Sequence, residues 1–191
     1  MGLTGGMAAG KSEALAALER LGAATLSADR VVHGLYDQPA VRDAVVARWG
    51  DAVRDGDGVD RRAIAARVFG DDAERVWLEG LLWPRVGKAI DAWHAEQERR
   101  RPPPPAIVVE VPLLFEAGMD ALFDATIAVV ADDAVRAELA AARGLGTVDE
   151  RTARQLPQAD KARRADHVVV NSGTLTELER SLTEVLAKLN G

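Results

Sequence analysis

Apolar positions along this chain alternate between short continuous runs and stripes at helical spacing. Gly2-Leu3-Thr4 is a short strand stub before a glycine-rich turn. From Glu13 to Leu21 the apolar residues recur at helical spacing, and Gly22 closes that helix as a C′ residue. Ala23 to Leu26 predicts a second strand. Residues 28 to 100 read almost entirely as helix, with breaks at Gly34–Pro39, Gly50–Gly58, Gly70 and Pro84. The proline run at 102–105 stops any helix and predicts an extended surface connector. Ile107 to Val111 is β-branched and continuous, as in a parallel strand covered on both faces. Thr126–Val130 and Val168–Val170 predict two more strands. Residues 132 to 143 and Leu175 to Leu189 predict helices, and 144 to 164 is polar and arginine-rich.

Strands that alternate with helices imply an α/β fold with a parallel sheet. The long helical stretch between the second and third strands reads as an insertion, and the arginine-rich stretch before the last strand as a smaller one. The 191 residues suit a single domain with inserted parts better than two independent domains. The expected organisation is a core of 1–29, 106–135 and 165–191, a helical insert of 30–105 and a lid of 136–164.

Composition narrows the chemistry. The chain has no cysteine, which excludes disulfides, thiolate catalysis and Cys-ligated zinc. His33, His94 and His167 are scattered without ligand spacing. No apolar run approaches the roughly 20 residues of a membrane span, and no signal peptide opens the sequence, so a cytoplasmic protein without a membrane partner is expected. The net charge of −6 argues against a nucleic-acid partner. It also has the wrong sign for long-range attraction of anions. A phosphate site must therefore be made from local charges and backbone donors. Nothing in the sequence specifies an oligomeric state.

One segment supplies such a site. Gly5-Gly-Met-Ala-Ala-Gly-Lys-Ser12 fits G-x-x-x-x-G-K-[ST] without a gap. Gly5 and Gly10 are expected to take backbone conformations that gather N–H groups around one anion. The following helix points its N-terminus at the same place. Lys11 reaches the β- and γ-phosphates, and the Ser12 hydroxyl suits Mg²⁺. With an apolar stub before it and a helix after it, the segment predicts a nucleotide-phosphate loop. It makes ATP the co-substrate of a kinase of small hydroxyl acceptors.

Other polar residues stand where a sheet of this kind presents its strand ends. Glu110 lies in a very apolar strand, where a carboxylate is costly unless it is used or paired. It is either part of the Mg²⁺ water shell or a salt-bridged strand end. Asp29 follows the second strand, and ligands of open parallel sheets bind beyond such ends. It either takes a proton from an attacking hydroxyl or, with Ser27, caps the next helix; spacing alone leaves both open. Arg136, Arg143, Arg151, Arg154 and Lys161 are either phosphate-binding forks of a lid hinged at Gly144 and Gly146 or a solvated face.

Taken in order, these segments resemble the dephospho-CoA kinase family nearly end to end. The resemblance rests on GLTGGMAAGKS at the start, LSAD near residue 29, RRAIAARVF at 61–69 and VPLLFEAGMDALFD at 111–124. It continues through AAR at 141–143, RTARQLP at 151–157 and ADHVVVNSG at 165–173. It implies a parallel P-loop core, a helical acceptor-binding insert and a lid. It also implies transfer of the ATP γ-phosphoryl group to the ribose 3′-hydroxyl of dephospho-CoA. ATP would lie on Gly6, Met7, Ala8, Ala9, Gly10, Lys11, Ser12 and Glu13, with Arg143 from the lid and Asn171 beside the adenine. Asp29 would be the catalytic carboxylate, acting with Lys11 and Arg143. Pro112, Leu113, Leu114 and Glu116 would lie beside the acceptor.

The chain departs from the family pattern at several places. Ser27 replaces the first aspartate of D-A-D, so Asp29 has no second carboxylate in that motif. Trp83-Pro84 stands for His-Pro. Glu110 replaces aspartate, with a longer reach to the same water shell. Glu13 follows the loop serine where a hydroxyl residue is usual. Trp83 is expected beside the acceptor or in the core of the helical insert, and the large area of an indole favours the core. Two other readings fit the residues: a P-loop kinase of another acceptor, such as a nucleotide or nucleoside, and a nucleotide-binding regulator without catalysis.

Overall fold

The computed structural model describes residues 1–142 and 155–189. The chain divides into two compact units, one of residues 1–27 with 97–191 and one of residues 28–96.

The first unit is built on a parallel sheet of five strands: β1 (Gly2–Gly5), β2 (Ala24–Ser27), β5 (Ile107–Glu110), β6 (Thr126–Val130) and β7 (His167–Val170), in the order β2-β5-β1-β6-β7. Each predicted strand is present to within a residue or two. The helices are α1 (Lys11–Arg20), α6 (Asp133–Ala142), α7 (Gln158–Arg164) and α8 (Leu175–Leu189). Leu3, Val108, Ile127, Val129 and Val169 of the sheet pack with Leu15 and Leu18 of α1 and Leu178, Leu182 and Val185 of α8. Side chains alternate along a strand, so Thr4, next to Leu3, points to the other face. There its hydroxyl meets the Lys161 ammonium of α7.

At the junction of β6 and β7, Asp166 accepts hydrogen bonds from the Thr126 N–H and hydroxyl, both at 2.8 Å. The Asp166 N–H donates back to the Thr126 hydroxyl at 3.1 Å. These bonds hold the Asp166 carboxyl below the usual carboxylate range.

The second unit holds α2 (Ala28–Leu35), α3 (Pro39–Trp49), α4 (Arg61–Val68) and nearly all of α5 (Asp72–Glu98), with a small hairpin of β3 (Arg54–Asp55) and β4 (Gly58–Val59). Its core gathers Leu35, Val41, Val45, Val53, Ile64, Leu78 and Leu82. Asp60 caps α4 by accepting from the N–H groups of Arg62 and Ala63. Glu74 accepts from the Arg48 guanidinium at two points, each 3.0 Å, and from the Trp49 indole N–H at 2.9 Å. The Trp49 and Trp77 rings meet edge to face with centroids 5.0 Å apart.

Two expectations fail in this unit. The helix does not break at Pro84: α5 runs through it. Pro84 withdraws the donor that would meet the Gly80 carbonyl, and the Arg85 guanidinium donates one position further on, to the Leu81 carbonyl at 2.6 Å. Trp83 is not in the core, since it is 58% exposed. The core of α5 is drawn instead from Leu78, Leu82 and Val86, which recur every four residues and leave the position after Leu82 turned outward.

Candidate active site

The turn between β1 and α1 is wound for an anion. Ala8 and Gly10 both take left-handed backbone, with φ of 56° and 86°. Successive left-handed and right-handed residues turn their N–H groups toward one point. Gly10 then opens α1 with no side-chain cap. The first N–H groups of the helix have no intrahelical acceptor and stay available to a ligand, at the positive end of the helix dipole. Ser12 and Glu13 are exposed in this first turn. The Lys11 ammonium curls back to the carbonyls of Gly5 at 3.2 Å and Gly6 at 3.0 Å.

Gly5 has another role than the expected one. It is the last residue of β1 and is not in left-handed backbone. A Cβ there would stand 2.4 Å from the Val129 carbonyl oxygen, so glycine is needed for close approach to β6. Left-handed backbone falls instead on Ala8, a residue that glycine-based reading passes over.

Three side chains brace the loop from behind. The Asn171 amide donates to the Ala9 carbonyl at 3.2 Å, and a Cβ on Gly10 would collide with it. Arg136 donates from Nε to the Met7 carbonyl at 3.2 Å and pairs with Asp133 at 2.9 Å. Gln158 lies against Gly6 and exchanges hydrogen bonds with the backbone of Ala131. Arg136, read from sequence as one of the lid cations, therefore belongs to the loop. Arg143, Arg151 and Arg154, with Gly144 and Gly146, lie outside the described residues.

At the end of β5, Glu110 is 8% exposed. It is in register with Leu3 of β1 on one side and with Ser27 of β2 on the other. The chain then turns through Pro112, Leu113, Leu114 and Glu116. Leu114 is fully buried, while Pro112, Leu113 and Glu116 are half-buried. Glu116 Oε1 accepts from the Leu156 N–H at 2.7 Å and pairs with the Lys161 ammonium at 2.9 Å. Glu116 Oε2 is buried without a partner. Lys161 is fully buried and also donates to the Pro112 carbonyl at 2.5 Å and the Thr4 hydroxyl at 3.3 Å. Burial pushes the Lys161 ammonium below the usual lysine range, and Glu116 pulls in the opposite direction. Lys161 is thus neither a lid cation nor a solvated charge.

In the other unit, Asp29 is half-buried within the first turn of α2. That helix opens at Ala28, which leaves the N-cap position to Ser27 rather than Asp29.

The sheet order, the wound loop and the helix that follows it define a P-loop kinase fold. The family model of dephospho-CoA kinase matches residues 1–177. A dephospho-CoA kinase from Protochlamydia amoebophila is 35% identical over 98% of this chain and 94% of its own length. A crystal structure from Thermus thermophilus shares 32% identity and superposes with a TM-score of 0.84 over 100% of this chain and 97% of that one. The dephospho-CoA kinase from Campylobacter jejuni has the same fold, with a TM-score of 0.70 at 20% identity over 98% of this chain and 95% of that chain. The chain belongs to the dephospho-CoA kinase family, a family of ATP-dependent kinases.

Proposed function

We propose that this chain transfers the γ-phosphoryl group of ATP to the ribose 3′-hydroxyl of dephospho-CoA, giving coenzyme A and ADP. The observation that carries the reading is the uncapped N-terminus of α1 behind the left-handed turn at Gly10, in a chain that matches the family over residues 1–177. Backbone N–H groups of residues 6 to 13 hold the triphosphate. Lys11 exchanges the loop carbonyls for the β- and γ-phosphates. Arg143 adds positive charge to the transferring group, and Asn171 keeps the loop in shape beside the adenine.

The residues present fit Mg²⁺. Among the described residues no three acidic or histidine side chains gather to hold a metal by themselves. Mg²⁺ is commonly held by one or two protein oxygens together with substrate phosphates and waters. The exposed Ser12 hydroxyl and the Glu110 carboxylate are such oxygens. The ion, when bound, neutralises charge on the phosphates. Glu13 is exposed in the first turn of α1, and it takes part in the phosphate site through its backbone N–H.

Asp29 orients the 3′-hydroxyl and accepts its proton. Pro112, Leu113, Leu114 and Glu116 form the wall against which dephospho-CoA lies, and residues 30–105 supply the rest of its site. Of the 136–164 lid, Arg136 and Lys161 stay anchored to the phosphate loop and the sheet, and Arg143 is the residue assigned to cover ATP. Positioning and electrostatic stabilisation account for most of the rate in such a transfer. No helix among the described residues is long and apolar enough to cross a membrane, and we assign the enzyme to the cytoplasm. A coupled ADP-release assay with dephospho-CoA, run beside a panel of nucleosides and nucleotides, tests the reading. Turnover confined to dephospho-CoA is expected. Faster turnover of a nucleoside overturns the acceptor, and no turnover with any hydroxyl overturns the kinase.

A further inference from the structure

We infer that Lys161 is a positioning residue for the acceptor, one that fixes the Pro112–Glu116 turn against the strand that carries the phosphate loop. The inference rests on the reading that this turn flanks dephospho-CoA.

An ammonium loses several kcal/mol when it leaves water, unless its donors are all met. Lysine has three N–H donors, and Lys161 directs them to Glu116 Oε1 at 2.9 Å, the Pro112 carbonyl at 2.5 Å and the Thr4 hydroxyl at 3.3 Å. These three acceptors come from two segments of the chain. Pro112 and Glu116 bracket the turn after β5. Thr4 precedes Gly5 and Gly6 on β1, and its own hydroxyl also lies 3.3 Å from the Pro112 carbonyl.

Packing alone gives no reason for a lysine here. An apolar side chain of similar length would fill the space between α7 and the sheet without the desolvation cost, and such replacements of buried ion pairs are often neutral or stabilising. What the ammonium adds is geometry. It ties both ends of the acceptor turn and the root of the phosphate loop to one point. A surface held in its binding shape takes a ligand without first being ordered, so loosening the turn weakens acceptor binding. Glu116 serves the same end from the other side. One of its oxygens holds both Lys161 and the Leu156 N–H, which pins the start of the α7 segment to the turn.

A double-mutant cycle of Lys161→Met and Glu116→Gln tests this, with separate KM values for ATP and dephospho-CoA. Charge-assisted hydrogen bonds contribute about 1.5–3 kcal/mol, so each single variant should raise the KM for dephospho-CoA roughly 10- to 100-fold. The KM for ATP should stay within about threefold, because the loop amides are untouched. The double variant should be no worse than the worse single one, since both remove the same anchor. It should also melt no lower, because neither charge is then left alone. Lys161→Arg should recover part of the lost acceptor affinity, because its fork reaches Glu116 and the Pro112 carbonyl. Should Lys161→Met fail to fold, Thr4→Val removes the hydroxyl's long contacts with Lys161 and the Pro112 carbonyl at nearly constant volume and should raise the same KM about 2- to 10-fold.

An unchanged KM for dephospho-CoA in the variants, with turnover merely scaled to the folded fraction, overturns the inference. So does an equal rise in the KM for ATP. Either result leaves the acceptor reading standing as long as the wild-type enzyme turns over dephospho-CoA. Failure of the wild type to bind or phosphorylate it would overturn that reading itself.

Discussion

Ser27 and Glu110 stand side by side, each the last residue of its strand, as register partners on β2 and β5. In-register residues of parallel strands project to the same face. Both side chains are almost buried, at 7% and 8% exposure. The resemblance would put an aspartate at each place; here a short hydroxyl sits beside a longer carboxylate. The pair keeps one negative charge at the strand ends and gives it extra reach. Glu110→Asp should therefore raise the Mg²⁺ concentration for half-maximal activity about tenfold, the loss of roughly one charge-assisted contact. Ser27→Asp in the same background should restore it. An Mg²⁺ titration of turnover is the measurement, and identical curves for wild type and Glu110→Asp would remove Glu110 from the metal shell.

Gly5→Ala should destabilise the first unit. The added methyl meets the Val129 carbonyl oxygen at 2.4 Å, and both partners are backbone of paired strands. Overpacking of this kind costs typically about 1–3 kcal/mol. Urea denaturation should show a lower midpoint with the same slope. Gly118→Ala makes a useful contrast: it has left-handed backbone but no neighbour within 4 Å, so only conformational strain is paid there.

The five strands and the phosphate loop were legible because their signals are local: β-branched runs for β5 and β6, and one contiguous motif for the loop. The hairpin of β3 and β4 was not, since two-residue strands have no periodicity to read. Pro84 misled for a different reason. A proline costs a helix one bond, and the packing of Leu78, Leu82 and Val86 in one core on both sides of Pro84 holds α5 together, which shows only in three dimensions. Lys161 was the largest loss. Among the charges of Gln158–Arg164 it reads as one more surface cation. A signal was nevertheless present: Gln158 and Lys161 are one helical turn apart, so they share a face. That face lies on the sheet, where Gln158 reaches Ala131 and Lys161 reaches Pro112. Asp29 was readable as a position past β2, whereas its place inside the first turn of α2 required the helix boundary.

Asp166 makes stability depend on pH at the acid end. Its carboxyl is held below the ordinary range, mainly by the Thr126 hydroxyl and then by the Thr126 N–H. A group whose folded pKa is depressed contributes stability above its unfolded pKa and loses it as pH falls through the folded one. The contribution should thus be complete at neutral pH and fade below about pH 4. Asp166 is exposed, so solvent screens part of it. Asp166→Asn should lower the melting temperature at pH 7 by about 2–4 °C, and the gap from wild type should close as the buffer is taken toward pH 3. A gap that stays constant with pH would mean that the hydrogen-bonded shape, and not the charge, is what matters.

Asp29→Asn should reduce turnover strongly while leaving ATP binding and stability nearly intact. Asparagine has the same shape and can accept hydrogen bonds, but it cannot take the hydroxyl proton or carry negative charge. Asp29 lies in the first turn of α2, where a carboxylate also favours the helix dipole. That favourable effect is worth about 0.3–1 kcal/mol at an accessible position, so a purely structural role predicts a small drop in melting temperature and unchanged turnover. A catalytic role predicts a loss on the order of 10²–10⁴-fold, the range of general base catalysis. The loss should fall toward the lower end if the transition state is loose, with little proton transfer when the phosphoryl group moves. ATP affinity separates a third possibility. The loop of residues 6 to 13 is built on β1 and α1, with Lys11 on the Gly5 and Gly6 carbonyls and Asn171 on the Ala9 carbonyl. If Asp29 instead joins the Mg²⁺ shell, where Ser27 supplies no carboxylate, calorimetry with ATP and Mg²⁺ should register the weakening directly. Turnover at saturating dephospho-CoA, ATP affinity by calorimetry and a thermal melt on the same preparation distinguish the three. Turnover lost with ATP affinity and melting unchanged is the expected result. Turnover retained with a slightly lower melting temperature would return Asp29 to the helix.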